Sequence, residues 1–173
     1  MTKEIETSLF TASVVEEHPA DGAQYFFSSK GKRPRDGICV RVRCGSVQWS
    51  GIFGFGETKF STLCRHPDPQ ELCVISGGSC YFLKVQRPEL YAVLTAFATG
   101  CAFDQRSNQL IVHDDWRIYC VRESGVAWVS EIDSDGIRNL SVSSAGITCE
   151  ADVLGSNNPS IIRLDPETGR ILL

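Results

Sequence analysis

Apolar and polar positions along the chain change over short distances, and the spacing is that of strands. Runs rich in Val, Ile, Tyr, Phe, Trp and Cys occupy residues 24–27, 38–44, 47–53, 72–75, 80–85, 110–112, 117–121, 126–129, 137–142, 147–151 and 161–164. β-Branched and aromatic side chains suit a pleated, half-buried surface. Turn formers separate the runs: Arg35-Asp36-Gly37, Cys44-Gly45-Ser46, Ser76-Gly77-Gly78-Ser79, His113-Asp114-Asp115, Ser134-Asp135-Gly136 and Gly155-Ser156-Asn157-Asn158-Pro159. No stretch keeps a helical period over several turns. Only Glu89–Ala98 fits either a strand or two turns of helix. The pattern predicts an all-β fold of antiparallel hairpins, stacked as a small or open propeller or as a sandwich.

A repeat organises the later part of the chain. Leu72-Cys73-Val74 and Leu110-Ile111-Val112 lie 38 residues apart, as do Tyr81 and Tyr119 in the strands that follow. A short apolar strand precedes each pair, Ser61–Cys64 and then Cys101–Phe103. A segment with an aromatic follows, carrying Tyr91 and then Trp128. Ile147 falls 37 residues after Leu110, and the next hairpin loop lengthens at Gly155–Pro159. A period near 40 built of about four strands is the mark of a propeller-like blade. The expected organisation is one β domain over residues 1–173. Within it, residues 1–59 are less regular and residues 60–173 form about three blade-like units.

The faces of the strands add a packing requirement. Successive side chains of a strand point to opposite faces. Leu72 and Val74 oppose Cys73 and Ile75, and Ile118 and Cys120 oppose Tyr119 and Val121. Both faces are apolar, so these hairpins need cover on both sides, as stacked blades or a sandwich supply. Val40-Arg41-Val42-Arg43-Cys44 alternates strictly instead. That places Arg41 and Arg43 on one face, at a sheet edge, on an outer face or as a paired-arginine anion site.

Charge and cysteine content narrow the setting. Residues 1–87 carry 11 Lys+Arg and 9 Asp+Glu, net +2; residues 88–173 carry 6 and 12, net −6. The acidic half argues against a general nucleic-acid binder and would suit a basic protein partner. A basic cluster, Lys30, Lys32, Arg33 and Arg35, reads as a solvated loop or an anionic-ligand clamp. No apolar run is long enough to span a membrane, and residues 1–7 lack a signal-peptide pattern. Eight cysteines without a C-x-x-C pair read as buried reduced thiols rather than a zinc knuckle, which points to a cytoplasm.

The segment Leu164-Asp165-Pro166-Glu167-Thr168-Gly169-Arg170-Ile171 resembles the D-x-x-T-G hairpin turn of pyrroloquinoline-type and kelch-like propellers. Together with Val126-Ala127-Trp128, Asp135-Gly136-Ile137 and Ile147, it is similar to the C-terminal part of uncharacterised bacterial proteins made of such repeats. The resemblance covers roughly residues 60–173 and implies a β-repeat fold, with no activity attached. A chain of this length holds about four and a half such blades, the low end for a closed ring.

Few residues offer chemistry. His18 sits in an acidic segment and reads as a surface residue, while His66-Pro67-Asp68-Pro69 reads as a rigid turn. His113-Asp114-Asp115-Trp116 is the densest polar cluster. It could hold a divalent cation or an acid–base pair, or be a hairpin turn capped by Asp side chains. If His66 and His113 occupied equivalent loops, they could converge. Asp133-Ser134-Asp135-Gly136 lacks the ligands of a calcium loop. Gly51–Gly56 reads as a tight turn or bulge around Phe53 and Phe55, and Glu57–Phe60 as strand, so no phosphate cradle is expected. Trp49 and Trp128 read as core, and Trp116 as a recognition residue or a stacking contact.

The sequence therefore points to a non-enzymatic protein-binding or scaffold module of a bacterial cytoplasm, of the inhibitor or immunity type. No cofactor, metal, membrane or nucleic acid is expected. The candidate partner- or ligand-binding residues are His113, Asp114, Asp115, Trp116 and His66. A metal-dependent hydrolase using the His/Asp loop and a sugar-binding module remain as alternatives.

Overall fold

A computed structural model describes residues 2–17, 22–143, 145–153, 155–156 and 158–172. His18 lies outside them. Among the described residues the chain is all-β, with seventeen strands and no helix. It divides into two compact units, Met1–Ala98 and Thr99–Leu173.

The first unit holds two sheets. β1 (Glu4–Glu6), β2 (Thr11–Val15), β3 (Ala23–Phe27), β4 (Gly37–Cys44) and β5 (Val47–Gly54) form a sheet in the order β1-β2-β4-β5-β3. Its edge strand β3 runs parallel to β5, with Phe27 beside Phe53. β4 runs antiparallel to β5 on the other side, with Gly37 beside Gly54. Residues 28–36 must therefore arch past the C-terminal end of β5 to join β3 to β4. β4 is central, so its alternation marks an outer face and not a sheet edge. Val40 and Val42 face the core, and Arg41 and Arg43 lie on the opposite face.

β6 (Thr62–Arg65), β7 (Glu71–Ser76), β8 (Ser79–Lys84) and β9 (Arg87–Val93) follow as a simple antiparallel meander. Glu89–Ala98 thus resolves as strand up to Val93. Beyond it, the Thr95, Ala96 and Ala98 carbonyls accept from Cys80, Glu57 and Thr58. Those bonds also explain why Glu57–Phe60 is a bent connection and not the strand expected. Its amides bond Ala96 and Gly77 instead of a ladder partner. The β7–β8 turn needs positive φ at both central residues, +54° at Gly77 and +90° at Gly78, which glycine adopts without a Cβ penalty.

Trp49, Phe27, Phe53, Val40 and Val42 of the first sheet pack with Leu63, Leu72, Val74, Tyr81 and Leu83 of the second. The Phe27 and Phe53 rings stack at 4.3 Å, and Gly51 makes that possible because a Cβ there would meet the Phe27 ring. Gly51–Gly54 therefore completes β5, as the 47–53 run predicts, and is not the tight turn or bulge also read over Gly51–Gly56. Trp49 donates its indole N–H to the Val85 carbonyl at 2.7 Å.

The second unit holds two more meanders. β10 (Gly100–Asp104), β11 (Gln109–His113), β12 (Arg117–Arg122) and β13 (Gly125–Glu131) form one. β14 (Ser134–Ser143), β15 (Gly146–Val153), β16 (Ser160–Leu164) and β17 (Ile171–Leu172) form the other. Pairings in β10–β12 correspond to those in β6–β8 at an offset of 38 residues: Thr62 faces Ile75 as Gly100 faces His113, and Leu72 faces Leu83 as Leu110 faces Val121. In the last sheet Ile147 faces Leu164 across the longer loop. Leu72, Leu110 and Ile147 are all fully buried. Ile111, Ile118, Cys120 and Trp128 pack with Ile137, Ile147, Cys149 and Leu164. Burying a side chain of this size stabilises by about 1.5–3 kcal/mol.

Candidate functional site

The His113–Trp116 cluster lies where β11 turns into β12. Asp114 is almost wholly buried, at 1% exposure. Its Oδ1 accepts from the Trp116 amide at 3.1 Å and the Arg117 amide at 2.7 Å, and its Oδ2 accepts from the Tyr119 hydroxyl at 3.1 Å. The Asp114 amide closes the turn onto the Arg117 carbonyl at 3.0 Å. Both carboxylate oxygens are thus engaged by the chain's own donors. This is the Asp-capped turn, in which the side chain supplies acceptors that the tight backbone lacks.

The same device recurs in other turns. Asp68 accepts from the Gln70 amide, Asp104 from the Arg106 amide and the Ser107 hydroxyl, and Asp165 from the Glu167 and Thr168 amides and the Thr168 hydroxyl. The Ser107 hydroxyl holds the Asp104 carboxyl below its ordinary range, and the Thr168 amide and hydroxyl do the same for Asp165. The D-x-x-T-G segment is therefore a hairpin turn built on Asp165.

His113 ends β11, and its ring lies over the Cα of Gly100 so closely that a Cβ there would collide with Nε2. Nδ1 sits 3.3 Å from both the Asp114 carbonyl and the Thr99 hydroxyl. Burial pushes its pKa down. His66 follows β6, in the other unit and at a different step of the strand order, so the two histidines are not in equivalent loops. Its Nδ1 accepts the Asp68 amide at 3.1 Å, and its ring meets Phe82 edge-on at 4.9 Å. Burial lowers its pKa to about 4, against the pull of Asp68. His66 is accordingly neutral near pH 7, and the 3.5 Å approach of Glu71 to Nδ1 is no ion pair there. Among the described residues no three His, Cys, Asp or Glu side chains come together as a metal site.

Asp115 and Trp116 behave differently. Asp115 is half-buried and Trp116 is 40% exposed, at the tip of the hairpin. The Trp116 carbonyl accepts the Ile132 amide at 2.8 Å, and the Asp115 carbonyl accepts the Ser134 hydroxyl at 2.8 Å. These bonds tie the hairpin tip to the β13–β14 connection. They bring exposed Glu131, Asp133 and Asp135 to the same end as Asp115 and Trp116. Arg117 offsets part of this charge through Glu131, at 3.0 Å. Residues 99–173 carry 6 Lys+Arg and 11 Asp+Glu, net −5. Trp49 and Trp128 are core residues, as expected, and the Trp128 indole donates to the Pro166 carbonyl at 3.0 Å.

A second surface, in the first unit, is one the sequence only hinted at. The 28–36 arch and the residues leaving β5 enclose an open groove of about 380 Å³ lined by Lys30, Lys32, Arg33, Arg35 and Phe55. The basic run was visible in the sequence. Its meeting with Phe55 was not, because that follows from the parallel β3–β5 pairing.

The eight cysteines are thiols outside any disulfide, and burial raises the pKa of Cys120 and pushes Cys149 to about 11. Compared with known proteins, the chain matches no protein-family model and no curated protein.

Proposed function

We propose that the chain is a non-enzymatic protein-binding module of a bacterial cytoplasm, built of propeller-like β repeats and acting as an inhibitor- or immunity-type protein on a basic partner. The observation that carries this reading is Trp116, 40% exposed at a hairpin tip whose backbone is fixed by Asp114, next to Asp115 and bonded to a connection that carries the exposed Glu131, Asp133 and Asp135. Interface hot spots are enriched in tryptophan, and a rim of one charge sets partner choice and on-rate. Carboxylates at such an end suit an incoming Arg or Lys, which gains an ion pair.

The repeat reading is supported by three successive four-stranded meanders and by the 38-residue offset between the first two. Thiols outside any disulfide, six of them buried, suit a reducing compartment. Hydrolytic use of the His113 cluster is disfavoured because Asp114 has both oxygens committed to backbone and phenol donors.

The test is affinity capture from native lysate with the full chain, read by mass spectrometry beside W116A and a D133K/D135K variant. The reading expects one basic protein, retained by the wild type, lost by both variants and released by salt. A partner retained equally by all three chains, or none at all, overturns it. A glycan array that binds the wild type but not W116A would assign Trp116 to sugar instead.

A further inference from the structure

We infer that the groove under the 28–36 arch is a docking surface for an acidic protein segment carrying an aromatic or aliphatic anchor. This surface is distinct from the Trp116 end, lies in the other unit and has the opposite charge.

The arch is fixed before any partner arrives. The Ser29 amide donates to the Tyr81 hydroxyl at 3.2 Å, and the Tyr91 hydroxyl donates to the Ser28 carbonyl at 3.1 Å. Pro34 packs on Gly54, where a Cβ would not fit. The Arg33 guanidinium lies 3.8 Å from the centre of the Phe26 ring. A rigid surface loses little conformational entropy on binding. Residues 28–36 hold four cations and one carboxylate in a chain of net charge −4, so the positive region is local. Lys30 pairs with Glu57 at 2.9 Å. Lys32 and Arg35 are exposed, and no carboxylate among the described residues lies within ion-pair distance of them.

Phe55 supplies the apolar half. It is 47% exposed and stands between the basic groove and a second depression of about 480 Å³ lined by Ile38, Thr58, Lys59, Ser61 and Gly77. Cations on both sides, Lys59 among them, and the apolar surface of Phe55 and Ile38 between them match a segment that alternates carboxylates with a large apolar residue. A bare phosphate fits less well. The amides that could cradle it are spent, Phe55 on the Asp36 carbonyl at 3.4 Å and Gly56 on the Ser76 carbonyl at 3.0 Å. A single-stranded nucleic acid would need several stacking aromatics along a basic track; among the described residues Phe55 is the one aromatic that lines the groove.

The test uses the full chain and a short fluorescein-labelled peptide of Glu residues around a central Leu-Phe, read by fluorescence anisotropy. Controls are the same peptide with Lys for Glu, the acidic peptide with Ser-Ser at its centre, and labelled oligothymidine. The acidic Leu-Phe peptide should bind best and weaken as salt rises. K32E/R35E should weaken it by at least about tenfold, and F55A by a similar factor with the salt dependence kept. All three positions are exposed, so unfolding midpoints should stay at the wild-type value. W116A should bind this peptide as the wild type does, which separates this surface from the Trp116 reading. Equal binding of the Lys peptide, tighter binding of oligothymidine, or no effect of K32E/R35E would overturn the inference.

Discussion

Replacing Asp114 by Ala removes one carboxylate and strands three donors. Two are the Trp116 and Arg117 amides, at the partly exposed hairpin tip, where water can replace the lost acceptor. The third is the Tyr119 hydroxyl, whose residue is only 7% exposed. A hydrogen bond to a charged group is worth about 1.5–3 kcal/mol net, and a buried donor left unpaired costs about 1–3 kcal/mol. With about 1 kcal/mol for each rehydrated amide and about 2 kcal/mol for the phenol, the loss is about 4 kcal/mol. That is a large part of the 5–15 kcal/mol that holds an ordinary domain together. Asp114→Asn keeps Oδ1 for the two amides and disturbs mainly the phenol, so its cost is about 1 kcal/mol. Equilibrium urea unfolding read by tryptophan fluorescence measures both, with Trp116 and Trp128 reporting on residues 99–173. The reasoning is refuted if D114A unfolds within about 1 kcal/mol of the wild type, or if D114N costs as much as D114A. A stable D114A chain would return Asp114 to the list of candidate catalytic groups.

Gly100→Ala should cost about 2 kcal/mol, because the new methyl meets a buried imidazole held by Thr99 and Asp114. In a double-mutant cycle with His113→Ala, urea midpoints should show most of that cost vanishing, and strict additivity would contradict it. Acid titration of stability gives a further check. The folded-state pKa of His66 lies near 4, below its ordinary 6.5, so the unfolded chain binds the proton more readily. Stability from this group is whole above about pH 6.5, falls as the pH drops towards about 4, and amounts to at most about 3 kcal/mol. Glu71, whose pKa burial raises, works the other way and offsets part of the loss. His66→Gln should flatten the fall in the urea midpoint between about pH 6.5 and 4; parallel slopes for the two chains would count against the burial of a neutral imidazole.

Strand content and strand faces were legible because alternation and β-branched runs report local burial directly. Leu72, Cys73, Val74 and Ile75 read as apolar on both faces, and all four are buried. The 38-residue spacing of Leu72 and Leu110 was legible for the same reason: equal register positions demand equal side chains. Pairing partners were not. Nothing in Gln24–Phe27 says that it lies parallel to β5, so the arch of residues 28–36 over Phe55 could not be foreseen. The role of Asp114 was legible only as one of two options. An Asp in a turn looks alike in sequence whether its oxygens meet backbone amides, as here, or a ligand. Tyr119, five residues on, became its partner through the β12 register, which composition does not carry. Glu57–Phe60 misled because its composition suits a strand while its amides are taken by Ala96 and Gly77.

Native-state hydrogen exchange by NMR tests the central claim most directly, namely that the turn carboxylates serve the backbone and hold the hairpin tips rigid. The amides of Gln70, Arg106, Trp116, Arg117, Glu167 and Thr168 lie in turns, yet each donates to an Asp side chain. They should exchange at least about tenfold more slowly than an unstructured chain, with Trp116 and Arg117 alone losing protection in D114A and keeping it in D114N. Exchange of all six at the rate of an open loop in the wild type would contradict the account.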